Sequence, residues 1–202
     1  MDLVTKRKWD RASRNFDLMA GRGPEKRWAP AKRAFFARMR PGAKILFLAV
    51  GTGLDVPFFP PEREIVGIDI SDRMLEQARK RTDLYRGRLE LRHMDVHEMD
   101  FPEASFDQVF TSCTFCSVPD PVRGLRALRR VLRPKGELHM FEHTGSRWFP
   151  FNLVMHMMTP LSRRLGPEMN RDTVGNVLAA GFELTGVEHV YLDMVKTIHA
   201  VA

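Results

Sequence analysis

From Lys44 onward the apolar residues come in blocks, and the blocks alternate between strand length and helical spacing. KILFLAV (44–50) and EIVGIDI (64–70) are continuous apolar runs, the first closed by Gly51-Thr52-Gly53. SDRMLEQARKR (71–81) predicts a helix with Ser71 as N-cap and Met74, Leu75 and Ala78 facing inward. Strands are predicted at 88–93 and 106–111. A helix over 120–133 then carries Val122, Leu125, Leu128 and Leu132 on one side and is closed by Pro134-Lys135-Gly136. A fifth strand follows at 137–142, a helix near 170–180, and two last strands near 182–189 and 194–201. Apolar strands alternating with helices predict an α/β fold with a parallel sheet covered on both faces.

Two stretches break this rhythm. Residues 1–40, ending before Pro41-Gly42, form an arm whose charge differs from that of the body. They hold twelve basic residues against four acidic ones, a net +8, which leaves −1 for the other 162 residues. Such a localised patch fits an anionic surface, nucleic acid or membrane. On a continuous helix Trp9, Ala12, Phe16 and Met19 share an arc of about 80°, opposite Arg7, Lys8, Arg11 and Arg14. That is the pattern of an interfacial helix on an anionic membrane, or of a helix that covers the core. The second stretch, WFPFNLVMHMMTPL (148–161), is too short to span a bilayer and too apolar for an ordinary loop. It lies in an apolar insertion placed at about 144–170, within a domain running from 41 to 202.

The rest of the composition narrows the class. At 44% hydrophobic and 28% charged, the chain is expected to be globular. Two cysteines fit a reducing cytosol, and residues 1–16 lack the apolar core of a secretory signal. Cys113 and Cys116 form a C-x-x-C without companion ligands, so no metal site is expected.

The informative constellation is a glycine turn, Gly51 and Gly53, with Asp69 ending the second strand and Asp95 following the third. The turn lets a ligand approach the backbone, and Asp69 can accept hydrogen bonds from a ribose diol. Asp95 stands where an adenine amino group would lie. The third glycine of a dinucleotide site and a GxxxxGK(S/T) phosphate loop are both missing, so the site suits an adenosine without pyrophosphate.

On these residues the chain resembles the class I S-adenosylmethionine-dependent methyltransferases. The matching segments are ILFLAVGTGLDV (45–56), IVGIDISDRML (65–75), HMDVHEMDFPEASFDQVFTS (93–112) and LRALRRVLRPKGELHMFEH (125–143). The resemblance implies a Rossmann-like seven-stranded sheet of order 3-2-1-4-5-7-6 with strand seven antiparallel, and S-adenosylmethionine as cofactor, leaving as S-adenosylhomocysteine. It extends the cofactor set to Ala49, Val50, Ile70, Met74, Val96 and Thr111. There are two departures, Phe47 and Ala49, where the family usually has an acidic residue and a glycine. More narrowly, the basic arm, CTFCSVPDP, FEHTGS and the apolar stretch resemble bacterial phospholipid N-methyltransferases, which act on phosphatidylethanolamine. Membrane-associated thiol methylases and quinone-biosynthesis methyltransferases share some of these pieces.

This resemblance implies a phospholipid substrate, a cytoplasmic enzyme peripheral to the inner face of the plasma membrane, and no nucleic-acid partner. An NPPY or DPPY segment of the nucleic-acid methylases is absent after strand four, where TSCTFC stands. Glu142 and His143, ending strand five, and Tyr191 are candidates for taking the amine proton or orienting its nitrogen. Trp9, Phe16 or Trp148 are candidates for holding a methylated cation by cation–π contact, and Arg147 for pairing with a lipid phosphate.

Overall fold

The structure, a computed structural model, describes residues 1–20, 24–165 and 168–202; the side chains of 19–20, 24–26 and 161–165 are outside this set. Three helices come first: α1 (Leu3–Ala12), α2 (Phe16–Ala20) and α3 (Pro24–Phe36). The single arm helix is therefore corrected. Ser13 caps α1 with its N–H on the Trp9 carbonyl, and residues 13–15 turn before α2 begins.

Seven strands follow: β1 (Lys44–Leu48), β2 (Glu64–Asp69), β3 (Arg88–His93), β4 (Phe106–Ser112), β5 (Leu132–His143), β6 (Glu183–Tyr191) and β7 (Val195–Val201). They form one sheet of order β3-β2-β1-β4-β5-β7-β6. Strands β1 to β5 pair in parallel, and β7 runs antiparallel between β5 and β6. This is the expected Rossmann-like topology. The crossovers carry α4 (Asp72–Thr82) and α5 (Pro121–Val131), while α6 (Phe151–Leu165) and α7 (Thr173–Ala179) lie between β5 and β6.

Ser71 caps α4 as its spacing predicts, its Oγ accepting the Met74 N–H at 3.1 Å. Helix α5 stops two residues short of the predicted end, because Leu132 already pairs with Phe106 across the sheet. The next paired positions are Gln108 and Glu137, so Arg133–Gly136 bulge out where a turn is predicted.

Both sheet faces are buried. One packs Leu46, Ile68, Val109 and Met140 against Leu125 and Leu128 of α5; the other packs Ile45, Phe47, Phe110 and Phe141 against Phe35, Phe36 and Met39. Those last three belong to the sequence-defined arm. The boundary at residue 40 therefore separates two charge regimes but not two folding units, since α3 supplies core to the sheet. Phe47, in the place of an acidic residue, fills this aromatic core, with ring centroids 5.8 Å from Phe36 and 5.0 Å from Phe59.

Candidate active site

In a parallel sheet every strand ends at the same edge, and loops there can converge on one ligand. Gly51, Asp69, Asp95, Cys113 and Glu142 all sit at or just beyond this carboxyl edge. Gly51 (φ 59°) and Gly53 (φ 82°) are left-handed, and so is Ala49 (φ 57°), which holds a glycine conformation at a steric cost. A side chain at Gly53 would come within 3.2 Å of the Ala78 backbone, so the turn lies tight on α4. At Gly51 the nearest atom is a Phe16 ring carbon at 4.0 Å.

Asp69 ties the turn to the next helix. Its Oδ2 accepts from Gly51 N–H at 2.8 Å, and its Oδ1 from Ser71 N–H at 2.9 Å. Burial pushes its pKa up to about 6 despite these donors. Asp95 accepts from the N–H groups of His97 (2.9 Å) and Asp2 (2.8 Å). Burial alone would raise its pKa, but those donors and the His97 ring hold it below the usual value. Both Asp69 oxygens and Asp95 Oδ2 keep a lone pair beyond the bond named, while Asp95 Oδ1 also meets His97 Nδ1 at 3.1 Å, so each carboxylate can still accept from one end of an adenosine. Ile70 is half-buried beside Asp69, and Val50 is buried behind the turn. Met74 and Val96 are also buried, and the Thr111 hydroxyl donates to Glu142 at 2.8 Å rather than opening toward the cleft.

The arm lies over this edge through its few acidic residues. Asp10 accepts from the Ser71 hydroxyl at 2.6 Å and pairs with Lys6, which also pairs with Asp72. Asp17 accepts from the Thr52 hydroxyl and pairs with Arg81 at 2.6 Å. Trp9 and Phe16 meet edge to face at 6.2 Å and are half-buried, with Phe16 over the glycine turn. On the same arm Arg7, Arg11 and Arg14 are exposed, together with Leu3, Val4 and Leu18. Met19 belonged to the predicted aromatic face, and its side chain is outside the described set. Asp2, Asp10, Asp17 and Ser71 were missed as site residues because their partners are up to 93 positions away. The only local signal was that acidic residues recur in a basic segment.

At the β4–β5 end, Glu142 is fully buried and accepts from Thr111 Oγ, Thr114 N–H and Phe115 N–H at 2.8, 3.1 and 3.1 Å. Burial pushes its pKa up to about 7. Its oxygens are thus turned into β4 and the loop that follows it. His143 is half-buried on the opposite face, and burial lowers its pKa, so its imidazole is neutral at pH 7. Lys32 and Asp55 form an ion pair, with Lys32 Nζ 6.0 Å from the Phe141 ring centre. Tyr191, ending β6, packs its ring 5.7 Å from Trp28 of α3.

The apolar stretch emerges beside this end. Asp193, in the β6–β7 turn, accepts from Ser146 Oγ and Arg147 N–H, each at 2.6 Å. Beyond that clamp Trp148 (58% exposed), Phe149 (80%) and Met157 (73%) face outward with Phe151, Leu153, Val154 and Met158. Met155 and Thr159 are the buried residues among 148–160. The stretch is largely helical, which its two prolines concealed in the sequence. Among the described residues no helix is long and apolar enough to cross a membrane.

Residues 46–140 match the family described as "Methyltransferase domain". The chain is 33% identical over 127 residues to a phosphatidylethanolamine N-methyltransferase of Cereibacter sphaeroides, covering 62% of this chain and 63% of the relative. It is 30% identical over 161 residues to a demethylmenaquinone methyltransferase of Symbiobacterium thermophilum, covering 75% of this chain and 64% of the relative. The match thus spans just under two thirds of either relative's length. Among solved structures, a possible histamine N-methyltransferase from Thermotoga maritima superposes with a TM-score of 0.68 at 18% identity, covering 98% of this chain and 99% of the other. The sheet order, the glycine turn with its two carboxylates and the matched segment agree: residues 46–140 match a methyltransferase domain, and that match and fold imply S-adenosylmethionine as cofactor and S-adenosylhomocysteine as product.

Proposed function

We propose that this protein transfers methyl groups from S-adenosylmethionine to the amine of phosphatidylethanolamine and its methylated intermediates, towards phosphatidylcholine, at a membrane surface. The observation that carries this reading is the exposed apolar stretch rooted beside the strand-five end, where a substrate with acyl chains would need such a surface. Arg7, Arg11 and Arg14 add an exposed basic face suited to anionic lipid. The relative from Cereibacter sphaeroides supports the headgroup assignment.

When bound, the cofactor supplies an electrophilic methyl group, so the chain's own task is alignment and proton handling. Asp69 would hold the ribose hydroxyls and Asp95 the adenine amino group. The headgroup is an ammonium with a pKa of about 10 by analogy with lysine, so exposing its lone pair at pH 7 costs about 4 kcal/mol. A neutral His143 would take that proton before transfer, leaving the nitrogen with the lone pair that receives the methyl group. Glu142 holds Thr114 and Phe115 of the β4 loop in place. Arg147 is exposed next to the apolar stretch, suited to a lipid phosphate.

The demethylmenaquinone methyltransferase relatives favour a second reading, carbon methylation of a quinone-type substrate. A radiolabelled methyl-donor assay separates the two, using phosphatidylethanolamine vesicles, a demethylmenaquinone and a small thiol side by side. Label is expected in lipid that co-migrates with the mono-, di- and trimethylated headgroups. Label in the quinone or the thiol alone would overturn the phospholipid assignment.

A further inference from the structure

The two aromatic pairs beside the strand-five end share Trp28, and both carry the protein's own cations. Trp28 meets Tyr191 at 5.7 Å and Phe141 at 6.5 Å, edge to face in each case. Arg27 lays its guanidinium carbon 4.0 Å from the Tyr191 ring centre and 5.0 Å from that of Trp28. Lys32 stands over Phe141. These rings come from three elements, α3, β5 and β6, so only the folded chain assembles them. Phe141 is buried beneath the group, whereas Tyr191 is 37% exposed and Arg27 is exposed.

We propose that the Trp28–Tyr191 pair is the binding site for the substrate's alkylammonium group, with Arg27 occupying the ligand cation's place on the outer face of Tyr191. This deepens the amine-methylation reading and depends on it for the physiological ligand. A ring face attracts a cation through its quadrupole and asks for no N–H donor. It therefore keeps its hold as methyl groups replace N–H groups, whereas a carboxylate bound by N–H donation loses a hydrogen bond at each step. Such a site accepts primary, secondary and tertiary amines alike. It also gives Tyr191 a role through its ring rather than its hydroxyl, and moves cation recognition away from Trp9, Phe16 and Trp148.

The test is a titration of the full chain with tetramethylammonium chloride, without methyl donor, followed by NMR. Saturable binding is expected. Tyr191→Leu should weaken it about threefold to thirtyfold, the range of a single cation–π contact. Tyr191→Phe should bind within about twofold of wild type, and Arg27→Ala should bind more tightly because the internal competitor is gone. Thermal unfolding of each variant confirms that it is folded. Unchanged binding by folded Tyr191→Leu, or weaker binding by Arg27→Ala, would overturn the site. The methylation assay reports separately. Lipid methylation with an unchanged KM in Tyr191→Leu would sink this inference alone. Tetramethylammonium binding that follows the expected order in a protein unable to methylate lipid amines would sink the function and leave the site standing.

Discussion

Two segments cover the carboxyl edge of the sheet, and they do so by opposite means. The arm, strongly basic, is held down by its minority carboxylates: Asp10 on Ser71 and Asp17 on Thr52 and Arg81. The 144–170 segment is strongly apolar, yet it is rooted by hydrogen bonds to Asp193 and leaves most of its large apolar side chains in solvent. In both cases much of what defines the segment's composition faces outward: Arg7, Arg11 and Arg14 on the arm, Trp148, Phe149 and Met157 on the apolar stretch. Net charge and hydropathy thus mark what a surface segment offers outward, while a few polar exceptions decide where it is attached.

The largest expected effect breaks the apolar side of this contrast. Replacing Trp148, Phe149 and Met157 with serine removes three side chains worth about 1.5 kcal/mol or more each on insertion, or a loss on the order of a thousandfold in vesicle binding. Flotation with phosphatidylglycerol vesicles measures it, and the unfolding midpoint should hardly move because all three are exposed. Equal flotation of both proteins would remove the membrane role. The matching change on the arm, Arg7, Arg11 and Arg14 to glutamine, should cost up to about 3 kcal/mol and only at low salt.

Next in size are changes beneath the covers. Glu142 holds a proton in the folded state up to pH about 7, while the unfolded chain releases it near 4.5. Its contribution is thus fully present below pH 4.5 and is lost as pH rises through 7, by up to about 3 kcal/mol. The difference between wild-type and Glu142→Gln unfolding curves isolates it. His139 works the other way in both proteins, since burial lowers its pKa to about 4. A difference that does not vary with pH would show that Glu142 is ionised in the fold. Asp69→Ala should weaken S-adenosylmethionine binding about tenfold or more, read by calorimetry, and should also loosen the Gly51 turn. Smallest is Asp17→Asn, expected to cost under about 1 kcal/mol because its pair with Arg81 is partly exposed. A faster exchange of the arm's amides, with α3 still protected, would show that the arm detaches on its own.

Local signals carried most of the fold. The β3 run was legible residue for residue, and Ser71 announced α4, because strand composition and helix caps act over a few positions. The α5 boundary was not, since Leu132 is claimed by Phe106 across the sheet. The same distinction divides the site. Gly51, Asp69 and Asp95 stand at strand ends that the hydrophobic pattern locates. Asp10 beside Ser71, and Tyr191 beside Trp28, become neighbours only through packing. Glu142 was visible as a residue but not as a role, because its orientation into the β4 loop depends on Thr114 and Phe115.

The clamp at Asp193 also sets an order in time. During synthesis the arm, β1 and β5 leave the ribosome before the apolar stretch, whose root at Ser146 lies 47 positions ahead of Asp193. Until that turn emerges, Trp148, Phe149 and their neighbours hang from a β5 that lacks its antiparallel partner, β7. A nascent chain in that interval presents an apolar helix without the anchor that later fixes its direction, which is when a nearby bilayer or a chaperone has the best access to it.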